Sequence, residues 1–197
     1  MLLVIFALSG VIGLAVVIGV IALTRGGGGS STSPSGVAAE MRAAGCKFTT
    51  AKATSRQHVT SLSAKIKYNT TPPSNGSHYY SPAVWGFYTT PANPVQVVHN
   101  EEHGGVILWW GSKVPQSTID QLRSFYDSSP NTMFGTPYPS LGKKVAITAW
   151  NAPPGGMGNG VVAVCPAFNE KAFTAFRDAY RGKGPERYPV NIQTPGT

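Results

Sequence analysis

Hydrophobic and polar positions divide the chain into an apolar N-terminal segment, a short polar tract and a longer mixed region. Residues 1–23 carry no charge and read MLLVIFALSGVIGLAVVIGVIAL, and about 20 apolar residues are enough to cross a bilayer as a helix. This run is longer than the apolar core of about 7–15 residues in a signal peptide, and no small-x-small cleavage site precedes Thr24-Arg25. The pattern predicts an uncleaved membrane anchor over residues 1–24.

Residues 25–36 read RGGGGSSTSPSG and contain no large apolar side chain. Such a Gly/Ser tract cannot bury enough apolar area to order itself, so it is predicted to be a flexible linker. The folded domain is then predicted to cover residues 37–197.

Helical spacing of apolar residues predicts three helices in this domain, over residues 37–45, 114–129 and 169–184. Asn169 is a suitable N-cap for the last helix, and Gly182 a suitable stop. The predicted inward-facing residues are Ile119, Leu122, Phe125 and Tyr126 in the second helix, and Ala172, Phe173, Phe176 and Tyr180 in the third.

Runs of β-branched and aromatic residues predict several strands, separated by loops rich in proline, glycine and short polar residues. Between the first two lies NTTPPSNGSHYYSP, residues 69–82, which is predicted to be an ordered, non-helical loop. The order of elements predicts an α+β domain, a mostly antiparallel sheet with helices packed on it. The predicted strands cover residues 64–68, 85–88, 95–98, 106–110, 143–150 and 160–165.

The net charge of +8 is unevenly distributed, because residues 41–100 contain no aspartate or glutamate. A basic face beside a membrane anchor is suited to anionic lipid or to anionic cell-wall polymers, although a merely solvated surface gives the same pattern. Nucleic acid is not an expected partner, because no lysine or arginine cluster is interleaved with aromatic residues. The basic residues of this stretch are Arg42, Lys47, Lys52, Arg56, Lys65 and Lys67.

The two cysteines, Cys46 and Cys165, are widely separated and form no CxxC motif. This arrangement predicts a loop-closing disulfide in an oxidising compartment, with two free buried cysteines as the alternative. Arg25 alone would place the C-terminal domain in the cytoplasm by the positive-inside tendency. The cysteine pair outweighs a single arginine, so the domain is predicted to be extracytoplasmic.

Four histidines, His58, His78, His99 and His103, all lie in the first half of the predicted domain. Imidazole is the commonest side-chain ligand of transition metals, and zinc or copper needs three or four converging donors. On a strand, His99 and His103 would lie about 13 Å apart, whereas on a helical turn they approach to about 5–6 Å. Residues 99–105, HNEEHGG, allow such a helical turn or a tight connection between two strands.

The same segment also matches the H-x-x-E-H pattern of inverted zinc peptidases, in which both histidines bind zinc and Glu102 would be the general base. The glycines that follow depart from the long helices that carry that motif. Polar structural roles are the alternative: a histidine bonding a carbonyl, His58 above all, or Glu101 and Glu102 pairing with nearby basic residues.

Two methionines and four tryptophans could also bind ligands, but structural roles are the first interpretation for them. Met133 and Met157 offer soft donors for cuprous copper, although methionine usually fills gaps in a core. The four tryptophans are predicted to be core or wall residues rather than a stacking platform. These are Trp85, Trp109, Trp110 and Trp150.

A set of motifs in fixed order resembles the bacterial domain of unknown function 3105 family from about Ala43 to the C-terminus. These are AAGC (43–46), RQHV (56–59), YNTTPPSNGSHY (68–79), WGFY (85–88), VHNEEHGGVILWW (98–110), ITAW (147–150) and AFRDAYRGKGPE (175–186). The resemblance implies a membrane-anchored or secreted domain, and the family it points to has no established activity.

The resemblance implies particular residues. The family pattern P-P-T-S-G-P-H falls on residues 72–78 and V-H-x-L-E-H-G on residues 98–104, so His78, His99, Glu102 and His103 are at family positions. His58 also falls on a family histidine, and both cysteines fall where the family tends to carry them. The chain departs from the first motif at Ser74, Asn75 and Ser77. It departs from the second at Glu101, where the family usually has leucine.

The first functional hypothesis is a copper or zinc ion bound by His78, His99 and His103, with Glu102 or His58 completing or orienting the set. A zinc hydrolase with Glu102 as general base, and an adapter or accessory subunit of a membrane complex, are the alternatives. No redox cofactor or nucleotide is expected, since no glycine-rich phosphate loop is present.

Overall fold

The computed structural model describes residues 33–197, which form four α-helices, seven β-strands and two short 3₁₀ turns. The helices are Pro34–Ala43 (α1), Pro94–Glu102 (α2), Gln116–Asp127 (α3) and Glu170–Tyr180 (α4). The strands are Lys47–Lys52 (β1), His58–Val59 (β2), His78–Tyr79 (β3), Val106–Trp110 (β4), Met133–Pro137 (β5), Val145–Asn151 (β6) and Asn159–Cys165 (β7).

The predicted membrane anchor, residues 1–24, and most of the predicted linker lie outside the described residues. No helix within residues 33–197 has the length and apolar character needed to span a bilayer. Helix α1 begins before the predicted start at residue 37, because Ser33 caps it by accepting a hydrogen bond from the backbone N–H of Gly36 at 3.2 Å.

A five-stranded sheet with strand order β1-β7-β6-β4-β5 lies at the centre of the fold. All its neighbouring strands are antiparallel except β4 and β5, which are parallel. Strands β2 and β3 form a separate two-stranded parallel pair. The predicted α+β class with a mostly antiparallel sheet is confirmed.

One face of the sheet is covered by α1, α3 and α4, which bury their apolar sides against it. The predicted inward faces of the two amphipathic helices are confirmed, except that Ile119 is only partly buried. Asn169 caps α4 as predicted, accepting a hydrogen bond from the N–H of Ala172 at 3.0 Å.

The opposite face is covered by α2 and by the long loops between β1 and α2. Ile107, Trp109 and Phe134 of the sheet pack here against Trp85 and Val97. All four tryptophans are buried, as predicted.

A disulfide joins Cys46 to Cys165 across 119 residues of sequence, and residues 33–197 contain no free cysteine. Cys46 directly precedes β1, and Cys165 ends β7, which pairs with β1. The predicted disulfide is confirmed, and it pins the edge strand of the sheet.

Three predicted strands are wrong. Residues 95–98 lie in α2, because Asn93 accepts a hydrogen bond from the N–H of Val95 and Pro94 occupies the first turn. The helix is buried on nearly every side, so its valines show no helical period. Residues 64–68 form no strand, and residues 85–88 contribute only a bridge from Phe87 to Gly135.

Four strands, β1, β2, β3 and β5, were not predicted, and β2 and β3 contain only two residues each. Strand β1, KFTTAK, is a largely exposed edge strand, so it lacks a hydrophobic period. Strand β5, MFGTP, contains a glycine and a proline that disfavour strands. The glycine is required there, because a Cβ on Gly135 would lie 2.3 Å from a ring carbon of Phe87.

Candidate metal centre

Helix α2 supplies two of the candidate ligands from its last turn. His99 and Glu102 are three residues apart and therefore share one face of the helix, and His103 is the C-cap. The helical-turn alternative for residues 99–105 is therefore the one that the structure adopts. Both His99 and Glu102 are buried, although a solvated helix end would normally expose such side chains.

The end of α2 is fixed by the chain segment that follows α4. Gly104 has φ 90°, and a Cβ at this position would lie 2.7 Å from Cα of Gly182. The Gly182 N–H donates to the Gly104 carbonyl at 2.8 Å, and the Glu186 N–H donates to the Glu102 carbonyl at 3.0 Å. Only glycine fits this conformation and this close approach.

Strands β2 and β3 supply the other two candidate ligands. They pair in parallel, and His58 is directly opposite His78 in their register. The loop before His78 is ordered and non-helical, as predicted. Its Asn75 side chain accepts from the Thr54 N–H at 3.2 Å and donates to the Asn69 side chain at 2.9 Å.

These elements bring His58, His78, His99 and Glu102 together, with one donor atom from each residue within 4.8 Å of all the others. The rings of His58 and His99 are stacked with centroids 4.9 Å apart, and the His78 ring lies edge-on to both. Three of the four residues are buried, and His58 is exposed. The cluster therefore has one side towards solvent.

Two of the histidines are oriented by backbone carbonyls. Nδ1 of His78 lies 2.7 Å from the Gly76 carbonyl oxygen, and Nδ1 of His99 lies 2.7 Å from that of Tyr79. A carbonyl oxygen can only accept, so each Nδ1 carries the proton. In the neutral ring this leaves the lone pair on Nε2, which is the tautomer that outer hydrogen bonds commonly impose on metal-binding histidines.

Glu102 contacts two of the histidines and an arginine. Its Oε2 lies 2.8 Å from Nε2 of His78 and 3.2 Å from Nε2 of His58, and its Oε1 accepts from Nε of Arg56 at 3.1 Å. Burial raises the pKa of this carboxyl, but the hydrogen bonds from His78, Arg56 and His58 outweigh burial and lower the pKa to about 2. Glu102 is therefore an anion at neutral pH.

His103 lies beside the four-residue cluster rather than in it. Its Nε2 is 3.0 Å from Nε2 of His99 and 3.6 Å from Oε2 of Glu186. Because Nε2 of neutral His99 carries the lone pair, His103 donates this hydrogen bond. Burial, and then the neighbouring His99, lower the pKa of His103 to about 4, and burial also lowers the pKa of His99. Both rings are therefore neutral at pH 7.

Glu101 points away from the cluster into the core. It is completely buried, its Oε1 accepts a 2.5 Å hydrogen bond from Thr148, and its Oε2 has no partner among the described residues. Burial raises the pKa of Glu101 well above its ordinary value. The two adjacent glutamates are thus in opposite environments, and only Glu102 belongs to the cluster.

Neither methionine considered as a soft ligand belongs to the cluster. Met133 is buried in the core beneath α3, and the Met157 side chain is 39% exposed. Both cysteines are in the disulfide. The donors available in the cluster are therefore nitrogen and oxygen.

Arg56 and Glu186 are site residues that the sequence did not single out. Arg56 bridges Glu102 and Glu186. It donates a hydrogen bond to Oε1 of Glu186 at 3.2 Å and another to the Gly155 carbonyl at 3.0 Å. Two signals were present: the resemblance motifs RQHV and AFRDAYRGKGPE contain these two residues, and the structural alternative was that Glu101 and Glu102 pair with nearby basic residues. For Glu102 that expectation is confirmed, because Arg56 is in the acid-free stretch.

A family model described as "Protein of unknown function (DUF3105)" matches residues 58–191. The match covers about two thirds of the chain and includes all four histidines and Glu102, so the chain belongs to this family. The N-terminal part of the predicted resemblance, residues 43–57, lies outside the match. No curated protein matches the chain, and no solved structure does.

Proposed function

We propose that this protein binds one divalent transition-metal ion through His58, His78, His99 and Glu102. The observation that carries the proposal is the convergence of four donor atoms within 4.8 Å, two of them on imidazoles whose Nδ1 protons are held by carbonyls. An ion-pair network does not require four donor atoms to converge on one point, whereas a zinc or copper centre needs three or four donors around one ion.

The spacing of the donors is close to that of a bound ion. Ligands about 2.0–2.1 Å from zinc at tetrahedral angles lie roughly 3.3 Å from one another. His78 and Glu102 are already at 2.8 Å and His58 and Glu102 at 3.2 Å, and no pair exceeds 4.8 Å. Side-chain movements of about an ångström would complete the shell, and exposed His58 has the room for them.

The donor types support Zn²⁺ or Cu²⁺. Three imidazoles and one carboxylate suit these borderline ions, whereas Cu⁺ prefers the thiolate and thioether sulfur that the cluster lacks. Arg56 forms an ion pair with Glu102. It lies in the same acid-free stretch as His58 and His78. This ion pair compensates the negative charge of the buried Glu102 carboxylate when no metal is bound.

The geometry supports Glu102 as a ligand better than as a general base. A base needs a free lone pair directed at substrate and a pKa near the working pH. Both oxygens of Glu102 are already engaged by three side chains, and its pKa is about 2. The binding role is therefore the better supported one.

The proposed location is the outer side of a membrane, with residues 1–24 as the anchor. The uncharged run of residues 1–23 and the disulfide support this location. A protease applied to intact cells tests it, because an extracytoplasmic domain is released and a cytoplasmic one is protected.

Elemental analysis of the full chain, purified in an uncharged detergent, tests metal binding. We expect one Zn²⁺ or Cu²⁺ per chain and its loss in a His78→Ala, His99→Ala double variant. No histidine is remote from the site, so the matched control is His103→Ala, which should keep the ion. A wild-type protein that carries no metal and cannot be loaded with either ion would refute the proposal and favour a structural role in a membrane complex.

A further inference from the structure

A cleft on the sheet shares no lining residue with the metal cluster and has a different chemistry. It is bordered by β1, by β7 and by residues 69–71 of the loop that leads to His78, and its volume is about 400 Å³. In the strand register Lys47 is opposite Val164 and Thr49 opposite Val162, so these side chains share the face that α1, α3 and α4 leave uncovered. The cleft is therefore a concave part of the outer surface.

The lining of this cleft is basic and hydroxylic. Lys47 and Lys144 both line it, together with the four threonines Thr49, Thr50, Thr70 and Thr71, and no acidic residue does. Both lysines are exposed, and neither forms an ion pair within residues 33–197. Two uncompensated ammonium groups over one concavity create a positive potential that selects an anion.

A second cleft also contains two lysines and no acidic residue. Its volume is about 400 Å³, and it is lined by Lys65 and Lys67, by Tyr68 and Tyr138, and by the apolar residues Ala64, Ile66, Pro73, Pro94 and Val95. The two clefts share the loop of residues 68–73 as a border. The carboxylates of α3 and α4 lie over the other face of the sheet: Asp120, Asp127, Glu170 and Asp178.

The residues that line the clefts are better suited to a phosphate-containing chain than to the surface of a membrane. Lysine ammonium groups bind phosphate as point charges, and threonine hydroxyls donate hydrogen bonds to its oxygens. A bilayer is flat on this scale, and peripheral binding usually adds apolar side chains. None of the large exposed apolar residues of the described chain lines either cleft. These are Leu62, Tyr80, Val84, Met157, Tyr188 and Ile192.

We infer that this pair of clefts binds a linear phosphate polymer, with Lys47 and Lys144 as its principal contacts. Repeated phosphates along a flexible chain can occupy both clefts at once, which a single phosphate cannot. This inference does not rest on the metal centre, because no residue of the metal cluster lines either cleft.

Long-chain inorganic polyphosphate, titrated into the full chain in uncharged detergent with EDTA present, tests the inference. We expect binding at physiological salt that weakens as salt increases, because counterions are released. A Lys47→Gln, Lys144→Gln variant should weaken binding about tenfold or more, since two charge contacts are lost. A Lys47→Arg, Lys144→Arg variant should retain it, which excludes a folding defect as the cause.

The matched control is Lys113→Gln, Lys183→Gln, which removes the same charge from exposed lysines that lie outside both clefts and form no ion pair within residues 33–197. Equal weakening in the two Gln variants would mean that only net charge matters and would overturn the inference. So would the absence of binding at physiological salt. Anionic phospholipid vesicles are the third arm: vesicle binding that depends on Lys47 and Lys144, with polyphosphate binding independent of them, would also overturn it.

Discussion

Nε2 of His78 and Oε2 of Glu102 lie 2.8 Å apart, although 24 residues of sequence separate them and neither side chain has appreciable contact with solvent. Nδ1 of the same imidazole already donates to the Gly76 carbonyl. The carbonyl therefore fixes the ring so that Nε2 and the carboxylate oxygen face each other, and a divalent cation would bind to these same two atoms.

Copper EPR should resolve the ligand set residue by residue. Cu²⁺ bound to the wild-type protein should show hyperfine coupling to three ring nitrogens, from His58, His78 and His99. His58→Ala should leave two. His103→Ala should leave three, because the hydrogen bond from His103 uses the lone pair on Nε2 of His99 that would bind the metal, and so is absent once the metal is bound. A loss of one nitrogen in His103→Ala would instead put His103 in the shell.

Replacement of Glu102 by glutamine should destabilise the metal-free protein. The change leaves Arg56 and His78 with a weaker acceptor in a buried site, and loss of one partner of a buried charge pair typically costs about 3–5 kcal/mol. Urea denaturation with EDTA present measures the free energy of unfolding. Arg123→Gln, which breaks an exposed pair with Asp127, is the control and should cost less than about 1 kcal/mol.

The metal-free protein should lose stability in acid over two pH windows. The folded pKa of His103 is lowered from 6.5 to about 4, so the unfolded chain binds more protons and stability falls as the pH drops from 6.5 to 4. The folded pKa of Glu102 is lowered from 4.5 to about 2, so a further loss follows between those values. Denaturation midpoints measured at each pH test this. In His103→Ala, most of the stability loss between pH 6.5 and 4 should be absent.

Glu101 should have the opposite pH dependence. Its folded pKa is raised above 4.5, so the folded state holds the proton and stability is lost as the pH rises above that value. Glu101→Gln keeps an acceptor for Thr148 and abolishes this titration. The variant should match the wild type below pH 4.5 and become progressively more stable than it at higher pH. A pH-independent difference in the free energy of unfolding would contradict a neutral buried carboxyl.

Removal of the disulfide should destabilise the domain strongly. A cross-link that closes a loop of 119 residues lowers the entropy of the unfolded chain. In the chain-entropy account this raises the free energy of unfolding by about 4–5 kcal/mol. Cys46→Ala, Cys165→Ala should therefore lower the thermal midpoint by many degrees. Treatment of the wild type with a reductant should produce the same shift, and no shift in the double variant.

Local pattern in the sequence was sufficient for the amphipathic parts of the fold. Helices α3 and α4 and strands β4, β6 and β7 were predictable because each buries a single face, or an uninterrupted apolar run, that its periodicity or composition records. The histidines and Glu102 were identifiable as candidates because imidazole and carboxylate are rare in the predicted core, and the family resemblance marked the same positions.

The tertiary structure alone decided the secondary structure of α2 and the membership of the cluster. A helix buried on nearly every side has no polar face, so its β-branched residues resemble a strand until the Asn93 cap and the packing around Val97 and Val98 are known. His58 joins His78 only through the register of β2 and β3, and Arg56 reaches Glu102 across 46 residues. Contacts between distant segments depend on the packing of the whole chain, which local sequence patterns do not encode.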